Sequence, residues 1–326
     1  MISEKKLNVV FAIDQFYIQH FCVAVTSLLE NNLKIINKIF LINDIENNFS
    51  LNQTIKFINK KYNIKIINIF FDTSLVKNFK IDGHITHASY YRIFLTELLP
   101  RDVERVLFLD SDVIVNGCIK YFLSLNFQPD VANNLPKILH QKSNIRKEYF
   151  LYAISNLFDQ NKERLKDLGL CGAQYFNAGV LYIDLKQWRE NNIINKFIFV
   201  ANEFKEKLYL HDQDVMNIVL ENYWLEIDEK FNAIGLEFSN KKIDIKDYII
   251  IHFTNFPKPW HFKNSHPFKW LYYYYIWKTP YRLYIPKDLN LYNLYKFKII
   301  PRVNHLKDRL MRLNLKTIKR KIFRLY

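Results

Sequence analysis

Short apolar runs alternate with longer amphipathic ones through the first seventy residues. Residues 8–13 (NVVFAI) are apolar and end at Asp14, and residues 15–31 follow with Phe21, Val25, Leu28 and Leu29 on one helical face. Residues 35–42 predict a second strand, 51–62 a helix with Ile55 and Ile58 inward, and 64–71 a third strand. Further along, residues 88–100 (ASYYRIFLTELLP) predict a helix stopped by Pro100, and 188–207 an amphipathic helix. Residues 175–185 and 248–254 read as strands, 130–134 as a strand end, and 141–168 as a charged helical stretch. Strands alternating with helices of ten or more residues predict a Rossmann-like α/β fold, a mainly parallel sheet flanked by helices. Ligands in such sheets bind at the carboxyl ends of the strands, where Asp14 falls.

Residues 106–115 (VLFLDSDVIV) break this pattern in an informative way. The run reads as one strand buried on both faces, yet Asp110 and Asp112 stand near its middle with Ser111 between them. Two carboxylates there are unfavourable by several kcal/mol unless paired, for example by Mg²⁺ or Mn²⁺. With eighteen Asp in 326 residues, one Asp-x-Asp arises by chance, so the setting must carry the argument. Elsewhere, local reading favours ordinary roles. Arg92 suits a solvated or salt-bridged helix residue, Asp212 and Gln213 a helix cap, Asn177-Ala178-Gly179 a turn or bulge, and His252 a satisfied core histidine.

Composition narrows the picture. Six Gly leave little for a P-loop or dinucleotide loop, and the widely spaced Cys22, Cys118 and Cys171 suit reduced thiols in a cytosolic compartment. No signal-peptide pattern is expected at the N-terminus, and the apolar stretch 270–277 is too short to span a bilayer. The net charge of +15 is concentrated: residues 294–326 carry eleven Lys or Arg against Asp308 alone. Met311, Leu315, Ile318, Ile322 and Leu325 share one helical face there, flanked by Arg312, Lys316, Lys319, Arg320 and Arg324. This predicts a basic amphipathic helix suited to an anionic membrane surface.

Six blocks, in this order, resemble family-8 retaining glycosyltransferases of the GT-A fold, in particular bacterial lipooligosaccharide and lipopolysaccharide galactosyltransferases. They are FAID (11–14), HITHASYYR (84–92), LDSDVIV (109–115), YFNAGVL (175–181), HDQDVMN (211–217) and HFTNFPKPWH (252–261). The resemblance implies a GT-A domain over residues 1–265 and an aromatic, basic, membrane-associating extension over 266–326. It implies that Ala12 and Asp14 hold the uracil of a UDP-sugar and that Ile85 packs on the nucleotide. Asp110, Asp112 and His252 would bind Mn²⁺, with Mg²⁺ as the alternative, and Lys258 would share in neutralising the departing UDP. Arg92, Asn177, Ala178, Asp212 and Gln213 would surround the donor sugar, with Asp110 reaching its hydroxyls and Ser111 and Asn255 completing the donor set. Asp212 and Gln213 are the implied catalytic pair.

Two positions depart from the pattern. Asn255 stands where such enzymes often have Gly, and no acceptor-side Asp is found where Asn133, Asn134 or Leu135 fall. The activity implied is transfer of a hexose, galactose first and glucose second, to a lipooligosaccharide or related glycan acceptor. The expected location is the cytoplasmic face of the inner membrane, with no specific nucleic-acid partner. The reading from a different class is a catalytically degenerate module that binds nucleic acid or an anionic surface through its basic tail.

Overall fold

The computed structural model describes residues 5–82, 86–127, 149–156, 162–170, 174–239 and 242–299. Strand β1 (Leu7–Ile13) leads through α1 (Ile18–Asn32) to β2 (Ile36–Asn43), and through α2 (Phe49–Tyr62) to β3 (Ile66–Phe70). Asn48 caps α2 by accepting from Leu51 N–H, and Asn63 ends it in the left-handed conformation at φ 50°. β1 pairs in parallel with β2 on one side and with β4 (Arg105–Leu109) on the other. The chain therefore reverses its direction of travel across the sheet at β1 and β4, opening a crevice beyond their carboxyl ends.

The seven-stranded sheet has the order β3-β2-β1-β4-β7-β6-β8. β7 (Phe176–Asp184) lies antiparallel to β4 and to β6 (Leu151–Ser155), while β8 (Trp224–Glu226) pairs in parallel with β6. All nine residues of β7 are buried, because helices and loops cover both faces of the sheet. A separate two-stranded sheet joins β5 (Val113–Val115) to β9 (Ile250–His252). The mostly parallel α/β architecture expected from the sequence is present.

Several local expectations are corrected. Residues 106–115 are not one strand: β4 and β5 belong to different sheets, and Asp110-Ser111-Asp112 is the turn between them. The carboxylates are thus spared a mid-strand position flanked by unbroken apolar neighbours. Residues 88–98 are mostly a 3₁₀ helix (His87–Phe94), followed by the short α3 (Leu95–Leu98). Tyr90, Tyr91, Ile93 and Phe94 are all buried there, so no solvent-facing stripe selects the 3.6-residue period. The charged stretch 141–168 contains β6, which finds its partners in β7 and β8, and only then α4 (Lys162–Asp167). The single helix expected over 188–207 is two, α5 (Leu185–Glu190) and α6 (Ile193–Glu203), broken where Asn192 adopts φ 48°. α7 (Asp212–Val219) follows. The expected strand end at 130–134 lies outside the described residues.

Beyond β9 the chain packs back on α1. In α8 (Lys269–Ile276), Leu271, Tyr272, Tyr275 and Ile276 are buried. The Tyr272 hydroxyl lies 2.8 Å from His20 Nδ1 and accepts from Gln19 Nε2 at 3.0 Å. Lys278 pairs with Glu30 at 2.8 Å, and Tyr281 with Thr54 at 2.8 Å. A short α9 (Leu291–Leu294) runs directly into a π-helical segment (Tyr295–Ile299). The amphipathic helix expected over 311–325 lies outside the described residues.

Candidate active site

The turn after β4 and the end of β9 bring three metal-ligating side chains together. Asp110, Asp112 and His252 each offer a ligand atom within 4.8 Å of the others. His252 Nε2 lies 3.2 Å from Asp112 Oδ1 and 3.8 Å from Asp110 Oδ2. Backbone pairing fixes this geometry. Asp110 N–H donates to the Gly179 carbonyl at 2.8 Å, Phe253 N–H to the Asp112 carbonyl at 3.0 Å, and His252 N–H to Ala233 at 3.0 Å. A Cβ on Gly179 would stand 2.1 Å from His252 Cε1 and 2.8 Å from Asp110 Oδ2, so only glycine leaves the triad its room.

These residues fit a divalent cation. Asp112 Oδ1 is buried and makes no hydrogen bond, with His252 Nε2 beside it at 3.2 Å, an arrangement that a cation between them would satisfy. Two carboxylates and an imidazole form a hard-to-borderline donor set. Burial works against the Asp112 charge, but Lys258 and His252 outweigh it and hold the carboxyl well below the usual range. Lys258 Nζ donates to Asp112 Oδ2 at 2.7 Å and to the carbonyls of Phe253 and Thr254 at 2.7 and 2.9 Å.

Arg92 is the hub of the neighbouring cluster. Its guanidinium, stacked over Phe108 at 4.6 Å, pairs with Asp110 at 2.8 Å and Asp212 at 3.0 Å. It also donates to the carbonyls of Ser89, at 3.0 Å, and Ala178. Burial disfavours this charge, while Asp110 and Asp212 raise its pKa. Asp212 responds the other way. Burial pushes its carboxyl up to about 6, with Asp110 adding to the effect and Arg92 opposing it.

Gln213 is held just as firmly. Its Oε1 accepts from Ala178 N–H at 2.9 Å and from Asn177 Nδ2 at 3.3 Å, while Nε2 donates to the Tyr175 hydroxyl at 3.4 Å. Because a backbone N–H defines which end is oxygen, the amide orientation is set by the fold. Tyr175 in turn donates to Asp214 Oδ1 at 2.6 Å, which Arg164 also reaches at 2.6 Å.

The structure describes most of the other expected residues. Asp14, 8% exposed, follows β1; it accepts from Phe16 N–H and from Thr86 Oγ1, both at 2.8 Å. Ala12 is partly buried on β1. Ser111 Oγ is buried in the metal turn with no hydrogen-bond partner. Asn255 turns its side chain to Glu237, donating at 2.7 Å, which accommodates the departure from glycine. Ile85 lies outside the described residues, as do Asn133, Asn134 and Leu135.

Three neighbours escaped the sequence reading. Tyr17, whose ring meets His20 and Trp260 edge-on, is pushed well up by burial and by the charges of Asp112, Asp14 and Asp110. Thr86 sits inside a block already singled out. Asn232, fully buried, lies 2.9 Å from His252 Nδ1, and nothing in the flanking sequence marks it.

A mostly parallel sheet with an acidic cation site at its switch point is the architecture of a GT-A glycosyltransferase. The chain belongs to glycosyl transferase family 8, whose profile matches residues 8–264. It is 28% identical to the lipopolysaccharide 1,2-glucosyltransferase of Escherichia coli K12, over 78% of this chain and 73% of that one. It is 28% identical to general stress protein A of Bacillus subtilis, over 67% and 76% of the two chains. Identity to the lipopolysaccharide 1,3-galactosyltransferase of Salmonella typhimurium is 25%, over 80% and 75%. Among solved structures, the galactosyltransferase LgtC bound to donor and acceptor sugar analogues superposes with a TM-score of 0.70 at 20% identity. That match covers 86% of this chain and 98% of LgtC, and it speaks for the fold.

Proposed function

We propose that this protein is a metal-dependent, retaining hexosyltransferase that moves galactose, or in second place glucose, from a UDP-sugar to a lipooligosaccharide or lipopolysaccharide core. The observation that carries the reading is the Asp110/Asp112/His252 triad at the switch point, with Asp112 Oδ1 buried and unsatisfied. A module that only binds through its basic tail has no use for such a triad. Relatives that use glucosyl and galactosyl donors in lipopolysaccharide assembly support the choice of sugars and acceptor class.

Asp110, Asp112 and His252 would hold Mn²⁺, or Mg²⁺, which supplies Lewis-acid neutralisation of the leaving diphosphate. Lys258 would add a second positive charge there, exchanging its bond to Asp112 for a phosphate oxygen. Asp14 and Ala12 would receive the uracil, while Arg92 holds Asp110 and Asp212 against the donor hydroxyls. Both lone pairs of Gln213 Oε1 are engaged by Ala178 and Asn177, which makes an already poor nucleophile poorer. This favours front-face substitution. The C1–O bond to UDP breaks, the acceptor oxygen bonds C1 on the same face, and its proton passes to the departing β-phosphate oxygen. Gln213 would steady the positive charge on the sugar through its carbonyl dipole.

The test is a UDP-sugar screen with Mn²⁺, measuring UDP release and transfer to lactose and heptose acceptors. Gln213→Ala slows transfer but leaves measurable activity. Complete loss with an intact fold and a sugar trapped on Asp212 would establish a covalent route instead. If Mn²⁺ and UDP-sugars gave neither thermal stabilisation nor UDP release, the protein would return to the binding-module reading.

The same proposal assigns residues 266–326 to an anionic membrane surface at the cytoplasmic face. Trp270, Tyr274 and Trp277, spaced for one face of α8 and its end, are 53%, 50% and 68% exposed beside Lys278. Amphipathic aromatics next to cations suit a lipid headgroup layer. No helix among the described residues is long and apolar enough to cross a membrane.

A further inference from the structure

A chain of three hydrogen bonds behind the metal triad determines which nitrogen of His252 carries a proton. It starts at Gly179 N–H, a donor that cannot be reversed, bonded to Asn177 Oδ1 at 3.0 Å. The same oxygen faces Asn232 at 2.9 Å, so Asn232 must present its NH₂ group there. Its carbonyl oxygen is thereby aimed at His252 Nδ1, 2.9 Å away. That oxygen can only accept, so the proton belongs on Nδ1, and Nε2 turns a bare lone pair toward Asp110 and Asp112. The alignment is built into the backbone: Asn232 precedes Ala233, which bridges to Ile251, the neighbour of His252. All three side chains are buried, Asn232 completely.

The opposite tautomer would be self-defeating. With its proton on Nε2, His252 would donate to Asp112 Oδ1 across their 3.2 Å separation and close the cation site on itself. We propose that Asn232 is a positioning residue that locks His252 in the Nδ1–H tautomer and so keeps the imidazole and Asp112 available to a divalent cation. This rests on the metal reading above and adds a residue to it. Outer-sphere partners of this kind orient a ligand and change metal affinity roughly 10- to 100-fold when removed.

Two measurements decide it, neither relying on transfer activity. Long-range ¹H–¹⁵N correlation of the metal-free wild-type protein, recorded where the His252 ring is neutral, should show the proton on Nδ1. A proton on Nε2 overturns the proposal without any variant. Second, Mn²⁺ binding is followed by the electron paramagnetic resonance signal of free Mn²⁺. Asn232→Val, melting as the wild type does, should bind roughly 10- to 100-fold more weakly and show the Nε2–H tautomer. Equal affinity with the proton still on Nδ1 means Asn232 is only packing. If wild-type protein itself binds no Mn²⁺, the metal reading falls, while the tautomer of the free ring still judges Asn232.

Discussion

Asp212 shows how a single carboxyl can be governed by opposing forces. Arg92 touches it at 3.0 Å, yet burial and Asp110 win and lift it from about 3.8 to about 6. The folded chain therefore binds more protons than the unfolded chain between those values. Stability conferred by this site falls as pH rises through that window, the reverse of an ordinary ion-paired aspartate. Melting curves of the metal-free wild type and Asp212→Asn across this range give the check. The wild type should lose about 2 kcal/mol relative to the variant between pH 4 and pH 6. A flat difference would show that Arg92 keeps Asp212 ionised throughout. At this scale the sequence was legible wherever a residue type is out of place in its run. Asp110 and Asp112 interrupt apolar neighbours, whereas His252 in YIIIHFT reads locally as a core histidine and only the family resemblance marks it as a ligand. Asn232 was not legible, because an asparagine in FNAI signals nothing until folding sets it behind a histidine.

Elements are held to the site by similar means. Asp214, fully buried in the first turn of α7, accepts from Arg164, Tyr175, Tyr209 N–H and Leu210 N–H at 2.6 to 2.7 Å. The bonds from Arg164 and Tyr175 fasten the start of α7, and with it Gln213, to α4 and to the residue before β7, while those from Tyr209 and Leu210 hold the loop that leads into α7. Asp214→Ala should lower stability by about 3 kcal/mol in denaturant unfolding, since it strands a cation and three further donors. A loss under 1 kcal/mol would mean that α7 is secured mainly by its apolar face. The strands β1, β2 and β3 were readable because each is an apolar run between amphipathic helices. β8, three residues long, is too short for any periodicity to register. β6 lies inside a charged stretch and exists only through partners donated by β7 and β8. The 3₁₀ helix around Arg92 was read as an α-helix because all-round burial erases the stripe that distinguishes the two.

For the molecule as a whole, charge is lopsided: a body of +5 carries a tail of +10. Under the proposed membrane role, a variant ending near residue 293 should lose flotation with anionic vesicles while retaining Mn²⁺-dependent UDP release in solution. Undiminished flotation would remove the tail from the proposal. The exposed face of α8, assigned to the same role under that proposal, would account for any residual binding.

The turn Asp110-Ser111-Asp112 has one more meaning. Asp110 is hydrogen-bonded into the seven-stranded sheet through Gly179, and Asp112 into the two-stranded sheet through Phe253. The two carboxylates are therefore stitched to separate slabs of the protein, with a single serine as the seam. Under the proposed function, an ion gripped between them would act as a rivet, stiffening the joint across which the donor would lie. Loading the cation and squaring up the crevice would then be one event, so an empty enzyme would be a looser enzyme as well as an inactive one.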